Sequence, residues 1–157
     1  MPKQVKPTSN PELIVCLDLA TTFGWATYTV ANETVMSGSI ELKEKSHGSK
    51  YKELYDKIYS MIECDMVVHV YCEQPFARGS GTKLLMGFLA IAEMVCYDTR
   101  KTFKGIIPPK SIKSFVMSGS AGKDDMIAVA KRLFPDQTII DDNQADALCL
   151  LAWVRKH

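Results

Sequence analysis

The residues best suited to chemistry in this chain are carboxylates that end or interrupt apolar segments. Asp18 closes the run LIVCLDL, Leu13–Leu19, and Glu73 closes MVVHVYCE, Met66–Glu73. Asp146 sits inside DDNQADAL, Asp141–Leu148, which leads into an alanine- and leucine-rich stretch. A charge among apolar neighbours is destabilising unless a cation or strong hydrogen bonds compensate it. Each acid has an ordinary alternative. Asp18 could cap the turn into Thr21 and Thr22. Asp141, Asp142 or Asn143 could start a helix as its N-cap, since short polar side chains accept from the first free amides. Capping accounts for one of those three residues and leaves Asp146 unexplained. Asp142 at i−4 and Asn143 at i−3 share a helix face with Asp146.

Carboxylates brought together repel one another, and their pKa values rise unless cations are bound. A ligand set of oxygens alone favours magnesium or manganese over zinc. Two such ions about 4 Å apart clamp the attacking and leaving oxygens of an in-line phosphoryl displacement. The chemistry expected of such a cluster is phosphodiester hydrolysis by an activated water. The other metal-binding residue types do not compete. Cys16, Cys64, Cys72, Cys96 and Cys149 are odd in number, scattered and form no CxxC pair, which argues against zinc or a disulfide framework. His47, His69 and His157 show no ligand spacing.

The elements that must position the acids can be read from hydrophobic periodicity. Leu13–Leu19 is nearly continuous in apolar residues, the pattern of a strand buried on both faces. Gly24–Val30 and Thr34–Leu42 read as two further strands, with Asn32 and Glu33 turning the hairpin between them. Tyr51, Leu54, Tyr55, Ile58, Met61 and Ile62 recur at helical spacing. Met66–Glu73 is a second buried strand, Lys83–Tyr97 a long apolar helix and Phe103–Ile107 a fifth strand. Pro109 fits the first turn of a helix reaching Met117. Ser118–Gly122 is a loop, Lys123–Phe134 a helix closed by Pro135, and Asp142–Arg155 the last helix. The order β-β-β-α-β-α-β-α-α-α implies an α/β fold: a five-stranded mixed sheet with helices on both faces. If the first and fourth strands are parallel neighbours, Asp18 and Glu73 finish on the same sheet edge.

The 157 residues suit one domain, expected over residues 11–157, with residues 1–10 as a polar, proline-containing disordered arm. The arm lacks the apolar core of a signal peptide, and no apolar run approaches the roughly 18–20 residues that span a bilayer. A cytoplasmic location follows as the expectation, with no membrane partner. Net charge is +1, so nothing global announces a polyanion. The distribution is uneven, however. Arg78, Lys83, Arg100, Lys101, Lys104, Lys110, Lys113 and Lys123 fall in a stretch whose only acids are Glu93 and Asp98. Such a stretch can hold phosphates within a neutral protein, or be a solvated surface.

Four segments together resemble the RuvC-type Holliday junction resolvases, of the phage-encoded kind, over roughly Leu13 to Trp153. LDLATTFGWA resembles the family's first acidic strand and turn, and YCEQPF its Glu-Gln segment. KSFVMSGSAGKDDM resembles the basic loop and helix before the last carboxylates, and DDNQADALCLLAW the final acidic helix. Each motif alone is weak; four in order and at matching spacing are specific.

The resemblance implies the ribonuclease H-like fold and a magnesium-dependent endonuclease that cuts four-way junctions and other branched DNA. It implies two Mg2+ per site, with Mn2+ able to substitute, and a homodimer, as symmetric paired cuts require. The host cytoplasm is the implied location for a phage-encoded member. Asp18, Glu73 and Asp146 carry over as metal ligands. The family's fourth acid stands three residues before its last Asp, where this chain has Asn143. Either Asn143 supplies a neutral oxygen or Asp142 takes the role, and charge favours Asp142. Lys123 and Lys113 carry over as basic positions near the scissile phosphate, Lys123 as a catalytic cation, and Phe76 as an aromatic that contacts bases; Arg78 beside Phe76, and Lys83 and Lys110 of the basic stretch, are the further expected DNA contacts. The Lys83–Tyr97 helix, apolar nearly all round, could pack one face on the sheet and the other on a second subunit. Three other readings remain. A nuclease of the same fold could act on RNA or another DNA structure. An actin-like ATPase also opens on an Asp strand and Thr-rich turn, as in DLATT, but needs two such domains. A non-catalytic DNA-binding module would not need Asp18, Glu73 and Asp146 intact.

Overall fold

The computed structural model describes residues 12–75, 79, 81–117 and 122–157. The expected N-terminal arm, Phe76, Arg78 and most of the Ser118–Gly122 loop lie outside them. The ten elements follow the expected order: β1 (Glu12–Asp18), β2 (Thr22–Thr29), β3 (Thr34–Glu41), α1 (His47–Ile62), β4 (Val67–Glu73), α2 (Gly81–Thr99), β5 (Thr102–Ile107), α3 (Pro109–Val116), α4 (Lys123–Leu133) and α5 (Asp142–Lys156). The sheet runs β3-β2-β1-β4-β5. β1 pairs antiparallel with β2, and β2 with β3. β1 pairs parallel with β4, and β4 with β5.

The turn between β2 and β3 is the expected one. Thr34 N–H donates to Asn32 Oδ1 at 3.2 Å, and Glu33 adopts φ 58°, the left-handed conformation a tight hairpin needs. α1 starts four residues earlier than the apolar periodicity suggests. Ser46 caps it, and its side chain exchanges hydrogen bonds with Ser49, so the polar first turn is held by capping rather than burial. At the other end of the chain Pro109 occupies the first turn of α3, and α4 stops just before Pro135, whose ring cannot continue a helix.

Strand alternation divides β1 between two cores. Leu13, Val15 and Leu17 join Val68, Val70 and Cys72 of β4 under α1 and α2, with Phe23, Leu54, Ile58 and Phe88. Ile14 and Cys16 face the opposite side with Ala26 and Tyr28, under Ile112, Met126, Leu148 and Leu151 from α3, α4 and α5. β1 is therefore buried on both faces, as its continuous apolar run requires. β4 departs from expectation: Val68, Val70 and Cys72 are buried, whereas His69, Tyr71 and Glu73 are only half-buried. The reason is that α5 lies mainly over β2 and β1. The carboxyl end of β4 is left accessible.

Candidate metal centre

Leu17 pairs with Cys72 in parallel register, so Asp18 and Glu73 come next on adjacent strands at the same sheet edge. Leu17 and Cys72 point into the α1–α2 core, and by alternation the two acids point to the α5 side. α5 supplies the third acid. Its first turn can reach the sheet because position 24, paired with Asp18, is glycine. A Cβ there would lie 1.8 Å from the backbone oxygen of Asn143. The opening of α5 thus rests directly on the β2 backbone beside Asp18. One helical turn later, Asp146 completes a half-buried trio. Asp18, Glu73 and Asp146 each offer an oxygen, and these ligand atoms lie within 4.8 Å of one another.

The trio is electrostatically strained. Burial pushes the Asp18 carboxyl up to about 8, with further upward push from Asp146, Asp142 and Asp141, while Lys123 pulls it down. Burial and then Asp18 and Asp146 push Glu73 up to about 9, against the pull of Lys113. Burial and Asp142 push Asp146 up to about 6, with Lys113 and Lys123 opposing. A concentration of half-buried anionic oxygens that the two lysines do not neutralise fits a hard divalent cation in donor type and charge.

The remaining expected residues divide into those brought to the trio and those not. Asp142, the first residue of α5, lies 3.2 Å from Lys123 Nζ through its Oδ2. Its charge is felt at both Asp18 and Asp146. Lys123, the first residue of α4, is largely exposed, so its ion pair with Asp142 is weak and leaves the ammonium available. Lys113 of α3 is close enough to stabilise the charged forms of Glu73 and Asp146. Asn143 is half-buried, its carbonyl over Gly24. Lys83 and Lys110 are exposed in the first turns of α2 and α3, the helices that follow β4 and β5. Both helices start from the sheet edge that carries the acids.

The basic stretch is not one surface. α2 crosses the sheet between two parallel strands, so Arg100 and Lys101 at its far end stand at the pole opposite the acids. Lys101 has a structural task there. Its ammonium donates to the carbonyl oxygens of Cys64 and Met66 at 2.6 and 2.8 Å. Of the lysines in that stretch, Lys83, Lys110, Lys113 and Lys123 belong to the acidic edge.

Sequence reasoning missed Gln144. It is 2% exposed, and among the described residues no other polar side chain of comparable type is so deeply buried. It also left open which of three residues caps α5. Asp141 does: its Oδ1 accepts from Gln144 N–H at 2.8 Å, and its Oδ2 from Ser39 Oγ at 2.5 Å. Asp142 is thereby free of capping.

The strand order and the helices on both faces define an α/β fold of the ribonuclease H-like type, with an acidic centre at the carboxyl edge of its parallel strands. Two solved structures share that fold over nearly their whole length. The structure of Thermus thermophilus RuvC superposes with a TM-score of 0.69 at 10% identity, covering 92% of this chain and 96% of that one. T. thermophilus RuvC in complex with Holliday junction substrate superposes with a TM-score of 0.71 at 12% identity, with the same coverage. At these identities the likeness is one of fold. No protein-family model matches the chain, and no curated protein sequence does. Among the described residues no helix is long and apolar enough to cross a membrane.

Proposed function

We propose that this protein is a magnesium-dependent endonuclease that resolves four-way DNA junctions. The observation that carries the reading is the convergence of Asp18, Glu73 and Asp146 beside Lys113 and Lys123. Burial and mutual repulsion destabilise an acid cluster on its own, and a bound cation offsets both. The two RuvC structures, one of them holding a Holliday junction substrate, support the choice among substrates.

In this reading Asp18, Glu73 and Asp146 hold divalent ions through their anionic oxygens, with Asp142 as the fourth carboxylate. Bound Mg2+, with Mn2+ able to replace it, supplies an activated water and Lewis-acid stabilisation of the phosphate. Asp142 orients Lys123 across the edge of the site, where its ammonium faces the negative charge that grows on the reacting phosphate. Lys113 opposes the upward shifts of Glu73 and Asp146, favouring the ionised forms that ligate. Lys83 and Lys110 flank the edge and hold the DNA backbone. Phe76 and Arg78 keep their expected roles as a base-stacking and a phosphate contact. The unburied side of α2 carries Met86 and Met94 at 53% and 45% exposure, two turns apart with Ala90 between. That apolar stripe suits a second copy of the chain, and two copies supply the paired active sites that two symmetric cuts need.

Cleavage of labelled four-way junction, fork, linear duplex and RNA by the purified protein in magnesium tests this, with Asp146→Asn as control. Paired cuts in the junction, lost in the variant, are expected. Preferential cutting of RNA would move the protein to the related nuclease reading. Absence of metal-dependent cutting on every substrate would overturn both.

A further inference from the structure

Where the start of α5 meets the sheet, the contact is polar and unusually complete. Gly24 and Ala26 of β2 pair with Ser39 and Ser37 of β3, making a shelf of small side chains on the α5 side. Ser39 Oγ donates to Asp141 Oδ2 at 2.5 Å. Gln144 Nε2 donates to Ser37 Oγ at 3.0 Å and to the Thr138 carbonyl at 2.9 Å. Gln144 Oε1 accepts from Ile140 N–H at 2.9 Å. Ser37 Oγ donates in turn to Gln137 Oε1 at 2.6 Å, and Gln137 Nε2 to the Val35 carbonyl at 3.0 Å. A stable helix-to-sheet contact needs none of this; an apolar side chain of similar volume would fill the Gln144 position. What the network adds is direction. Every bond ends on the segment 137–144, immediately before Asp146; four tie it to the edge strand β3, which carries no acid of the trio, and two brace the segment itself.

We propose that Gln144, Ser37 and Ser39 are positioning residues for the metal centre: they fix the first turn of α5 so that Asp142 and Asp146 meet Asp18 and Glu73 at ligand distance. The proposal rests on the reading of the acids as a metal site. Three acids that repel one another favour separation, and Asp146 stands on a separate element, whereas Asp18 and Glu73 are held by hydrogen-bonded neighbouring strands. Buried, fully satisfied networks of this kind select one arrangement among several.

The test is thermal unfolding of the whole protein across a Mg2+ titration, beside the Mg2+ dependence of cleavage. A cation that binds only the folded state raises Tm, so the midpoint of the rise reports affinity without any turnover. Ser39→Ala and Gln144→Met should each move that midpoint to about tenfold higher Mg2+, within the range that partners behind metal ligands command. Ser39→Thr, which keeps the hydroxyl on a strand residue, should restore it. If Gln144→Met does not fold, Ser39→Ala decides alone, since it removes a single half-buried hydrogen bond. A lower Tm without metal and an unchanged midpoint would make the network purely structural and overturn the proposal. If the wild-type Tm does not respond to Mg2+ at all, the metal site itself fails and the proposal goes with it.

Discussion

On one face of the sheet α1 and α2 close over Leu13, Val15, Leu17, Val68, Val70 and Cys72 with apolar side chains such as Leu54, Ile58, Phe88 and Cys96. On the other, α5 brings an acid, a buried glutamine and a capped polar terminus down onto the same strands. Both faces use strand alternation and helical periodicity, yet they answer to different demands. The first lowers free energy by removing apolar surface from water. The second gives some of that away, because the pKa values of Asp18, Glu73 and Asp146 are all pushed up by burial. Stability made on one side of β1 supports charge held on the other. The faces can be told apart by what their variants do to folding and to chemistry.

The largest expected effect lies on the acidic side. Asp18→Asn and Asp146→Asn should each lower junction cleavage by about a thousandfold or more, the loss of several kcal/mol of metal-borne stabilisation, while junction binding persists. The same substitutions should leave metal-free stability at neutral pH unchanged or higher: asparagine resembles the protonated Asp18 that burial favours, and at Asp146 it removes a half-buried, repelled charge. The pH dependence has the matching sign. These carboxyls have folded-state values above the usual carboxylate range, so their contribution is full below about pH 4 and is lost as pH rises through about 6 to 9. In chelator, Tm should fall between about pH 5 and about pH 8, and Mg2+ should flatten that slope; a Tm that climbs over this range would contradict the assigned shifts.

Phe88→Ala breaks the other face. Phe88 is fully buried and meets Tyr51 edge-on at 5.9 Å between ring centres. Its loss should cost about 3–5 kcal/mol in denaturant unfolding, with the Mg2+ midpoint of the surviving folded protein unchanged. A shifted midpoint would mean the two faces are coupled. Gly24→Ala should fall between the two behaviours. Its new methyl would displace the Asn143 carbonyl, costing about 1–3 kcal/mol as overpacking does, and moving α5 enough to weaken Mg2+ binding as well.

The apolar face was almost wholly legible in the sequence. Apolar runs, helical spacing and proline signals located the strands and helices of the described residues, and the largest boundary difference among them, at the start of α1, traces to the Ser46–Ser49 cap. The trio was legible too, because a carboxylate ending an apolar run is a local signal. The network around Gln144 was not. Its partner Ser37 is 107 residues away in sequence, and a glutamine beside an aspartate at a helix start looks like surface until the fold buries it. Gly24 was equally silent, since nothing in TFGWA announces that a helix terminus will rest on it. The basic stretch was legible only as a stretch: adjacency in sequence does not tell that the α2 crossover sends Arg100 and Lys101 to the far pole.

The smallest expected effect settles which residue fills the fourth position. Asp141 already accepts from Gln144 N–H and from Ser39, so it is the helix cap, and the stability loss of about 0.5–2 kcal/mol that follows cap removal belongs to Asp141→Ala. Asp142 has no capping duty, and its carboxylate acts on Asp18, Asp146 and Lys123. Asp142→Asn should therefore raise the Mg2+ needed for half-maximal cleavage by about tenfold, with little change in metal-free Tm. Manganese, which the same oxygens bind more tightly, should recover part of the loss. Asn143→Ala should do far less, because its backbone carbonyl, which the substitution keeps, is the atom lying over Gly24. If the ranking is reversed, so that Asn143→Ala raises the magnesium requirement and Asn143→Asp lowers it, then the neutral side-chain oxygen is the ligand. Asp142 would then serve only to hold Lys123, and its asparagine variant would slow single-turnover cleavage without moving the metal midpoint.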